Sequence, residues 1–340
     1  MSFSDLLRRQ LVFIVGKGGV GRTTVTLGIA LEAARRGERV LAVELEGARG
    51  LAAALAAQRD ATHPPPGLER IEYMAIDGRR ALEEYLSLII PVRRLLKTVF
   101  SSTVYQYFVA AAPGLKELMT VGKLWYEADR RNPKDAPARE LVLVDGPATG
   151  HSLQYLRMPQ AALDAFGSGL VHREAERVVG LLRDPAATGV VVVTLPEEMP
   201  ANETCDMYRG LSELQMHTAL LVVNQLHTAP CTRTELDDIG ARLRRHAGQP
   251  RGRRKEGKDH GDALVAEILA RAEEELGWAE INAAHVQRLA REIPVPTVKL
   301  PYLFNEEFGA EEVCQLGREL AAQLDAGAGA ARSARAARPR

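Results

Sequence analysis

Glycines followed by hydroxyl residues stand near the start of the chain, in the stretch "FIVGKGGVGRTT" from Phe13 to Thr24. Consecutive backbone N–H groups of such a loop can converge on an anion, and the N-terminus of a following helix adds partial positive charge. The spacing follows the phosphate-loop pattern G-x-x-x-x-G-K-[ST] at every position but one. The stretch therefore predicts a nucleotide phosphate site; a glycine-rich turn without a ligand is the alternative. The predicted contacts are Gly16, Gly18, Gly19, Val20, Gly21, Arg22, Thr23 and Thr24.

Two residues of this loop bear directly on chemistry. Thr23 carries the hydroxyl that would ligate Mg²⁺ beside the phosphates of ATP. Arg22 stands where the pattern has lysine, and its guanidinium is wide and planar where an ammonium is compact. Arginine can bind phosphate, so we expect nucleotide affinity to survive while hydrolysis is weakened or absent.

Apolar runs of strand length recur along the chain with helical stretches between them, which indicates how the loop is positioned. The runs cover residues 11–15, 39–45, 140–145, 189–195, 218–224 and 296–300. Continuous apolar runs of this kind are typical of a parallel sheet buried on both faces. A helix is predicted over 24–36, ending at Gly37. We predict a doubly wound, mostly parallel α/β domain over residues 1–325.

Three segments depart from the alternation of strands and helices. Residues 78–136 have a helical pattern and form a predicted insertion. Residues 242–260 are basic and poor in apolar side chains, so we expect a mobile loop there. The Ala-, Gly- and Arg-rich tail over 326–340 is predicted to be disordered.

Bulk composition argues against several classes of protein. Lys+Arg and Asp+Glu number 44 each, so no charge imbalance indicates a specific nucleic-acid partner. The three cysteines are far apart in sequence, which suggests no disulfide framework and suits a reducing compartment. No long uninterrupted apolar run indicates a transmembrane span. We expect a cytoplasmic protein that is not integral to a membrane.

Lys17, directly after the first glycine, resembles the signature lysine of the deviant Walker A loop found in the MinD, nitrogenase iron protein and ArsA class. The resemblance implies that this lysine reaches the nucleotide of a partner subunit, so the active unit would be a dimer. The alternative is that Lys17 is a solvated loop charge.

Later motifs resemble the ArsA and Get-type, or anion-transporting, ATPases in particular. "LVLVDGPATGHSLQYLRMP" (141–159) is similar to their switch II, which implies that Asp145 contacts Mg²⁺ through water. "LLVVNQL" (220–226) is similar to the strand whose asparagine, here Asn224, reads the adenine edge. The loop after residue 300 resembles the one that packs on the base, through Pro301 and Tyr302. Taken alone, Asp145 and Asn224 could be caps at strand ends. The resemblance covers roughly residues 10–325.

Switch I departs most from that family. Where the family has Asp-Pro-Ala-His, this chain has Glu-Gly-Ala-Arg over residues 46–49. Glu46 would be the carboxylate that positions the attacking water, or else a solvated loop acid. With Lys17 and Asp145 it completes the predicted catalytic set. The changes at Arg22 and Glu46 favour a subunit that holds its nucleotide better than it hydrolyses it.

The resemblance implies an ATP- and Mg²⁺-dependent dimeric ATPase whose nucleotide state drives conformational switching for a protein client. The alternative is a non-hydrolysing structural or regulatory subunit, in a heterodimer with an intact ArsA-like paralogue; a ParA/MinD-like positioning ATPase is a weaker reading. The cysteines show no metalloid-binding spacing, which disfavours arsenite transport. Apolar residues of the 86–124 region would line a groove for a hydrophobic client, or else pack in the core or at a dimer interface: Val92, Leu95, Leu96, Val99 and Phe100.

Overall fold

The computed structural model describes residues 1–45, 50–89, 99–112, 114–129, 141–147, 149–229, 231–247, 258–305 and 308–336. Its centre is a seven-stranded, all-parallel sheet in the order β3-β2-β4-β1-β5-β6-β7. The strands are β1 (Leu11–Gly16), β2 (Val40–Leu45), β3 (Ile71–Ile76), β4 (Leu141–Asp145), β5 (Thr188–Thr194), β6 (Thr218–Leu226) and β7 (Thr297–Pro301). The predicted doubly wound α/β fold is confirmed.

Helices cover both faces of this sheet. They are α1 (Phe3–Leu7), α2 (Arg22–Arg35), α3 (Leu51–Asp60), α4 (Gly78–Ile89), α5 (Thr103–Ala111), α6 (Leu115–Ala128), α7 (Thr149–Ala165), α8 (Leu170–Arg183), α9 (Glu198–Glu213), α10 (Arg233–Ala247), α11 (Lys258–Glu292) and α12 (Ala310–Ala336). Within the described ranges, none of these helices is long and apolar enough to cross a bilayer.

Side chains alternate along each central strand, and this alternation divides the core into two layers. On β1, Val12 and Ile14 face the layer built with α1, α2, α3 and α12. Leu11, Phe13 and Val15 face the layer built mainly with α6, α8, α9 and α11. Because both faces are covered, the strands read as continuous apolar runs in the sequence.

Helices α2 and α12 approach one another closely through a pair of glycines. A Cβ on Gly317 would collide with the backbone carbonyl of Gly28, and a Cβ on Gly28 would lie 3.3 Å from the nitrogen of Gly317. Glycine at both positions therefore lets the two backbones touch. This contact fixes α12 against the helix that begins at the phosphate loop.

Strand β3 is a part of the sheet that the apolar-run criterion misses. It lies at the sheet edge, and its central residues are half-buried or exposed while its two ends are buried. Its sequence "IEYMAI" mixes polar and apolar residues because part of it faces solvent. A search for continuous apolar runs therefore passes over it.

Two other sequence expectations differ from the structure. The tail predicted to be disordered from 326 is helical as far as Ala336, where α12 ends, and Ala328 is buried. The loop predicted over 242–260 begins within α10 and ends within α11, and residues 248–257 lie outside the described ranges. Low complexity indicated disorder in the tail, but the Ala and Arg residues that make up most of its helical part have high intrinsic helical propensity.

The described part of the predicted insertion is helical, in α4, α5 and α6. Leu82, Tyr105 and Val109 form a small buried cluster there, and Phe100 packs against it. Phe100 therefore belongs to a local core, whereas Val99 is exposed. Val92, Leu95 and Leu96, named for a client groove, lie outside the described residues.

Candidate functional site

The glycine loop joins the carboxyl end of β1 to α2 at the edge of the sheet where ligands of open α/β folds bind. A Cβ on Gly16 would collide with the backbone carbonyl of Val193 on β5. Gly21 has φ +90° and precedes the first residue of α2, and Gly19 has φ +86° with open space where its Cβ would be. Val20 is buried beneath the loop. The loop is thus packed against β5 on one side and leaves open space at Gly19 on the other.

Asn224 holds this loop from the neighbouring strand β6. Its buried Nδ2 donates a hydrogen bond of 2.9 Å to the carbonyl oxygen of Val20. A Cβ on Gly21 would collide with the same amide nitrogen. The structure therefore places Asn224 directly against the phosphate loop, where it fixes the loop's position.

Thr23 and Asp145 meet at the foot of the loop. The Thr23 hydroxyl donates to Asp145 Oδ2 at 2.6 Å, and Asp145 is only 1% exposed. Burial raises the pKa of Asp145 above its usual range, the hydrogen bond from Thr23 and the charge of Arg22 oppose that rise, and the Glu44 carboxylate adds to it. Asp145 Oδ1 is buried without a hydrogen-bond partner among the described residues.

These two side chains fit a hydrated Mg²⁺ ion. A hydroxyl and a carboxylate are the oxygen donors that Mg²⁺ prefers, and it usually keeps several of its waters. The unpartnered Asp145 Oδ1 is the acceptor that such a water would satisfy.

Glu44 is a buried carboxylate of the site that sequence reasoning missed. It lies opposite Asp145 in the β2–β4 register. Its Oε1 accepts from the backbone N–H of Leu51 at 2.9 Å, and its Oε2 accepts from the Tyr73 hydroxyl at 2.7 Å. Burial and this carboxylate raise the pKa of Tyr73 to about 12. An acid inside the apolar run "RVLAVEL" was the available signal.

Glu44 also connects the two elements that flank switch I. Its bond to Leu51 ties the end of β2 to the start of α3, on either side of residues 46–49. Glu46, named as the water-positioning carboxylate, lies outside the described residues. A Cβ on Gly50 would lie 3.3 Å from Thr23 Oγ1, so the start of α3 adjoins the Thr23–Asp145 pair.

Arg22 is the first residue of α2, and its guanidinium reaches across to the segment after β4. Nη1 donates a hydrogen bond to the carbonyl oxygen of Gly146. Desolvation lowers the pKa of Arg22 below its usual value, and the negative charge of Asp145 only partly opposes this shift. An arginine keeps its charge in proteins. A fixed positive charge therefore links the phosphate loop to the start of the switch II motif.

Lys17 forms an ion pair within its own chain. Its Nζ lies 2.9 Å from Glu203 Oε1 on α9, and the two side chains are 31% and 34% exposed. Thr24, the last of the predicted phosphate contacts, lies in the first turn of α2 and is half-buried. The structure thus places Lys17 at the rim of the loop.

The predicted base contacts lie at the carboxyl end of β7, beside β6. Pro301 pairs with Leu226, and the backbone N–H of Tyr302 donates to Leu226 oxygen at 2.8 Å. Around Tyr302 the structure gathers an aromatic stack that sequence reasoning did not find. Its members are His227, Trp278, Tyr302 and Phe304.

A cavity of about 690 Å³ opens at the amino-terminal ends of the strands, opposite the phosphate loop. Gln10 and Ala187 line it just before β1 and β5 begin, together with Trp125 and Arg177. It is therefore remote from the phosphate loop, which lies at the carboxyl ends of the strands.

Comparison with known proteins points to one family. The profile of the family described as "Anion-transporting ATPase" matches residues 9–168 and 170–238. The chain is 30% identical to the ATPase BagA of Mycobacterium tuberculosis over 233 residues, which are 64% of this chain and 65% of that protein's length. The match therefore spans slightly less than two thirds of this relative.

More distant relatives are found in other organisms. An ATPase get3 of Schizosaccharomyces japonicus is 25% identical over 255 residues, 65% of this chain and 76% of the relative. The arsenical pump-driving ATPase of Escherichia coli is 26% identical over 281 residues, 72% of this chain and 41% of the relative. The family match covers more than half of the chain, and it includes the phosphate loop, Asp145 and Asn224. The chain belongs to the anion-transporting ATPase family.

Proposed function

We propose that this protein is an ATP-binding conformational switch, with Mg²⁺ as cofactor and weakened hydrolysis, that couples its nucleotide state to a protein partner. The proposal that ATP binds is supported by the glycine loop, which has open space at Gly19, and by the adjacent Thr23–Asp145 pair. Bound ATP would supply the phosphoanhydride whose presence or cleavage distinguishes the two states. The residues of the chain would bind and orient it.

Each residue has a defined task in this proposal. Thr23 would ligate Mg²⁺ and Asp145 would hold one of its waters through Oδ1, the buried oxygen that lacks a partner. Asn224 holds the loop in shape from below through Val20. Pro301 and Tyr302 would contact the base.

The observation that carries the proposal is the contact of Arg22 with the Gly146 carbonyl. Because Arg22 Nη1 is engaged by the switch II backbone, this nitrogen would have to leave the Gly146 carbonyl before it could donate to a phosphate. Its planar fork also fits the glycine cradle less closely than an ammonium would. We therefore expect weak stabilisation of the transition state, and a movement of switch II when Arg22 turns towards the phosphates.

Calorimetry with Mg·ATP and a phosphate-release assay test this proposal. We expect the purified chain to bind Mg·ATP with slow turnover, and Arg22→Lys to raise turnover by about tenfold or more, since one well-placed charge contributes that much to a transition state. Arg35→Lys, at the other end of α2 beside Glu32, is the matched control and should leave turnover unchanged. Brisk turnover by the unmodified chain would refute the proposal of weakened hydrolysis.

A second candidate is a non-hydrolysing subunit that acts on a partner's nucleotide through Lys17. The Lys17–Glu203 ion pair favours it, because Lys17 would stay bound to Glu203 of its own chain until a phosphate of the partner's nucleotide competed for it. Light scattering with and without Mg·ATP, alone and with an ArsA-like paralogue, separates homodimer from heterodimer. Assembly only with the paralogue would support the second candidate, and nucleotide-dependent assembly of the chain alone would support the first.

A further inference from the structure

We infer that His227, which follows β6 and is anchored to helix α11, is a positioning residue for the base end of the nucleotide site, where it holds the ring of Tyr302 in place. This inference rests on the proposed nucleotide binding and adds a residue outside the phosphate loop and the motifs that define the site. It starts from the aromatic stack at the ends of β6 and β7, where Tyr302 is 41% exposed and Phe304 is 67% exposed. Exposed rings normally change rotamer freely, so an ordered arrangement needs a cause.

His227 is anchored to α11 at both its backbone and its ring. Its backbone N–H donates to Asn282 Oδ1 at 2.9 Å, and its Nδ1 lies 2.8 Å from Glu275 Oε2. Asn282 is buried and donates in turn to the carbonyl oxygen of Pro196, just after β5. The imidazole therefore has a fixed position and orientation relative to the sheet.

The fixed imidazole lies against the ring of Tyr302. Their centroids are 5.0 Å apart with an interplanar angle of 20°, a stacked arrangement. Trp278 stacks on the same imidazole at 5.9 Å and 29°, and Phe304 meets it edge-on at 5.9 Å. Tyr302 and Phe304 also touch, with centroids 4.7 Å apart. Stacking of this kind favours one ring orientation over the others.

A ring that is already oriented loses less conformational freedom when a ligand binds. The backbone of Tyr302 is fixed by its bond to Leu226, which leaves its side-chain rotamer as the remaining freedom. His227 restricts that rotamer and would thereby strengthen binding of the base. It would have no effect on the phosphates, which the loop at Gly16 to Thr23 holds.

The test compares ATP with a ligand that has no base. Calorimetry gives the Kd of Mg·ATP and of Mg·tripolyphosphate for the unmodified chain and for His227→Ala. We expect His227→Ala to weaken ATP binding about fivefold to tenfold, the size of effect of losing one ordered side chain, and to leave tripolyphosphate binding unchanged. Trp278 fluorescence should respond to ATP in the unmodified chain, since its ring belongs to the stack.

Two further variants separate positioning from folding. Glu275→Gln keeps an oxygen that accepts from the imidazole and should retain most of the ATP affinity, whereas Glu275→Leu removes that anchor and should resemble His227→Ala. His217→Ala changes an exposed histidine that directly precedes β6, at the opposite end of the strand from His227; it is the matched control and should change neither Kd.

Equal losses for both ligands, or none for ATP, would overturn the inference while the unmodified chain still bound ATP. An unmodified chain that bound neither ligand would overturn the proposed function itself.

Discussion

The phosphate end of the candidate site is built on a backbone loop and the Thr23–Asp145 pair, whereas its base end is built from large rings in the segments that follow β6 and β7 and from Trp278 on α11. At the phosphate end, Asp145 is buried and is joined to Thr23 by a hydrogen bond of 2.6 Å. At the base end, Tyr302 and Phe304 are exposed and are ordered by contact with one another and with His227.

This difference shows two ways of building a binding surface. Close contacts at Gly16 and Gly21 leave no room for a Cβ, so these two positions of the phosphate end should tolerate almost no substitution. Stacked rings can rearrange, so the base end should lose affinity in moderate steps. Variants that disturb one end and spare the other test the distinction.

The largest effect is expected from Gly21→Ala. Alanine is strained at φ +90°, and its Cβ would collide with Asn224, the residue that holds Val20. Strain of this kind costs about 1–3 kcal/mol, and with the added collision we expect Mg·ATP binding to fall more than about a hundredfold in calorimetry.

Gly37→Ala is the matched control for that variant. Gly37 has a similar φ of +97° but open space around its missing Cβ. It should lower the free energy of unfolding by about 1 kcal/mol and leave the ATP Kd unchanged. Similar losses of affinity in both variants would show that general destabilisation of the fold, and not the packing of Asn224 on the loop, lowers ATP binding.

Asp145→Asn should separate binding from stability. Asparagine keeps an oxygen for the Thr23 hydroxyl but removes the charge that would hold a Mg²⁺-bound water. We expect the affinity for Mg·ATP to fall about 10- to 100-fold, the usual cost of losing such a partner. Affinity for ATP measured in EDTA should change little, and a loss of the same size there would contradict the assigned role.

The same variant makes a prediction about pH. Because the pKa of Asp145 is raised in the folded state, the folded protein holds this proton more tightly than the unfolded chain does. That contribution to stability is present below the unfolded pKa and is lost as pH rises through the folded one. Asp145→Asn should therefore raise the Tm at neutral pH and have less effect in acid. A lower Tm of Asp145→Asn than of the unmodified chain at neutral pH would show that Thr23 and Arg22 outweigh the cost of burying the Asp145 charge.

The two ends also differ in how far the sequence predicts them. Gly16 to Thr23 are neighbours in the chain, so their spacing alone predicts a loop between a strand and a helix. His227, Trp278 and Tyr302 are brought together only by the pairing of β6 with β7 and by the packing of α11. No local pattern could place three such distant rings in one stack.

The fold shows the same limit. Buried strands were visible as continuous apolar runs, while β3, with its half-exposed centre, was not. The family resemblance that placed Asp145 and Asn224 did not find Glu44, whose partners Leu51 and Tyr73 come from α3 and β3. Residues were predictable where their role depends on adjacent sequence, and unpredictable where it depends on tertiary contacts.

A smaller effect on stability is expected at the contact between α2 and α12. Helix α2 begins at the phosphate loop and α12 begins after the segment that holds Tyr302, and the two helices meet at Gly28 and Gly317. Gly317→Ala inserts a methyl group against the Gly28 carbonyl and should lower the free energy of unfolding by about 1–3 kcal/mol. Gly327→Ala lies in the same helix with open space around it and should raise stability by up to about 1 kcal/mol. Urea denaturation measures both, and equal shifts would argue against close helix contact at Gly317.

The smallest effect on stability is expected from Glu203→Gln, which removes the negative charge from a part-exposed ion pair at the phosphate end. The Lys17–Glu203 pair is about one third exposed, and such pairs contribute about 0–1 kcal/mol. The Tm should barely change, in contrast to the other variants at this end. If the pair restrains Lys17 until a partner's phosphate replaces it, Glu203→Gln should also promote assembly at lower Mg·ATP concentrations in light scattering, and Lys17→Gln should abolish that assembly. A large loss of Tm in Glu203→Gln would instead show that the pair is a structural contact.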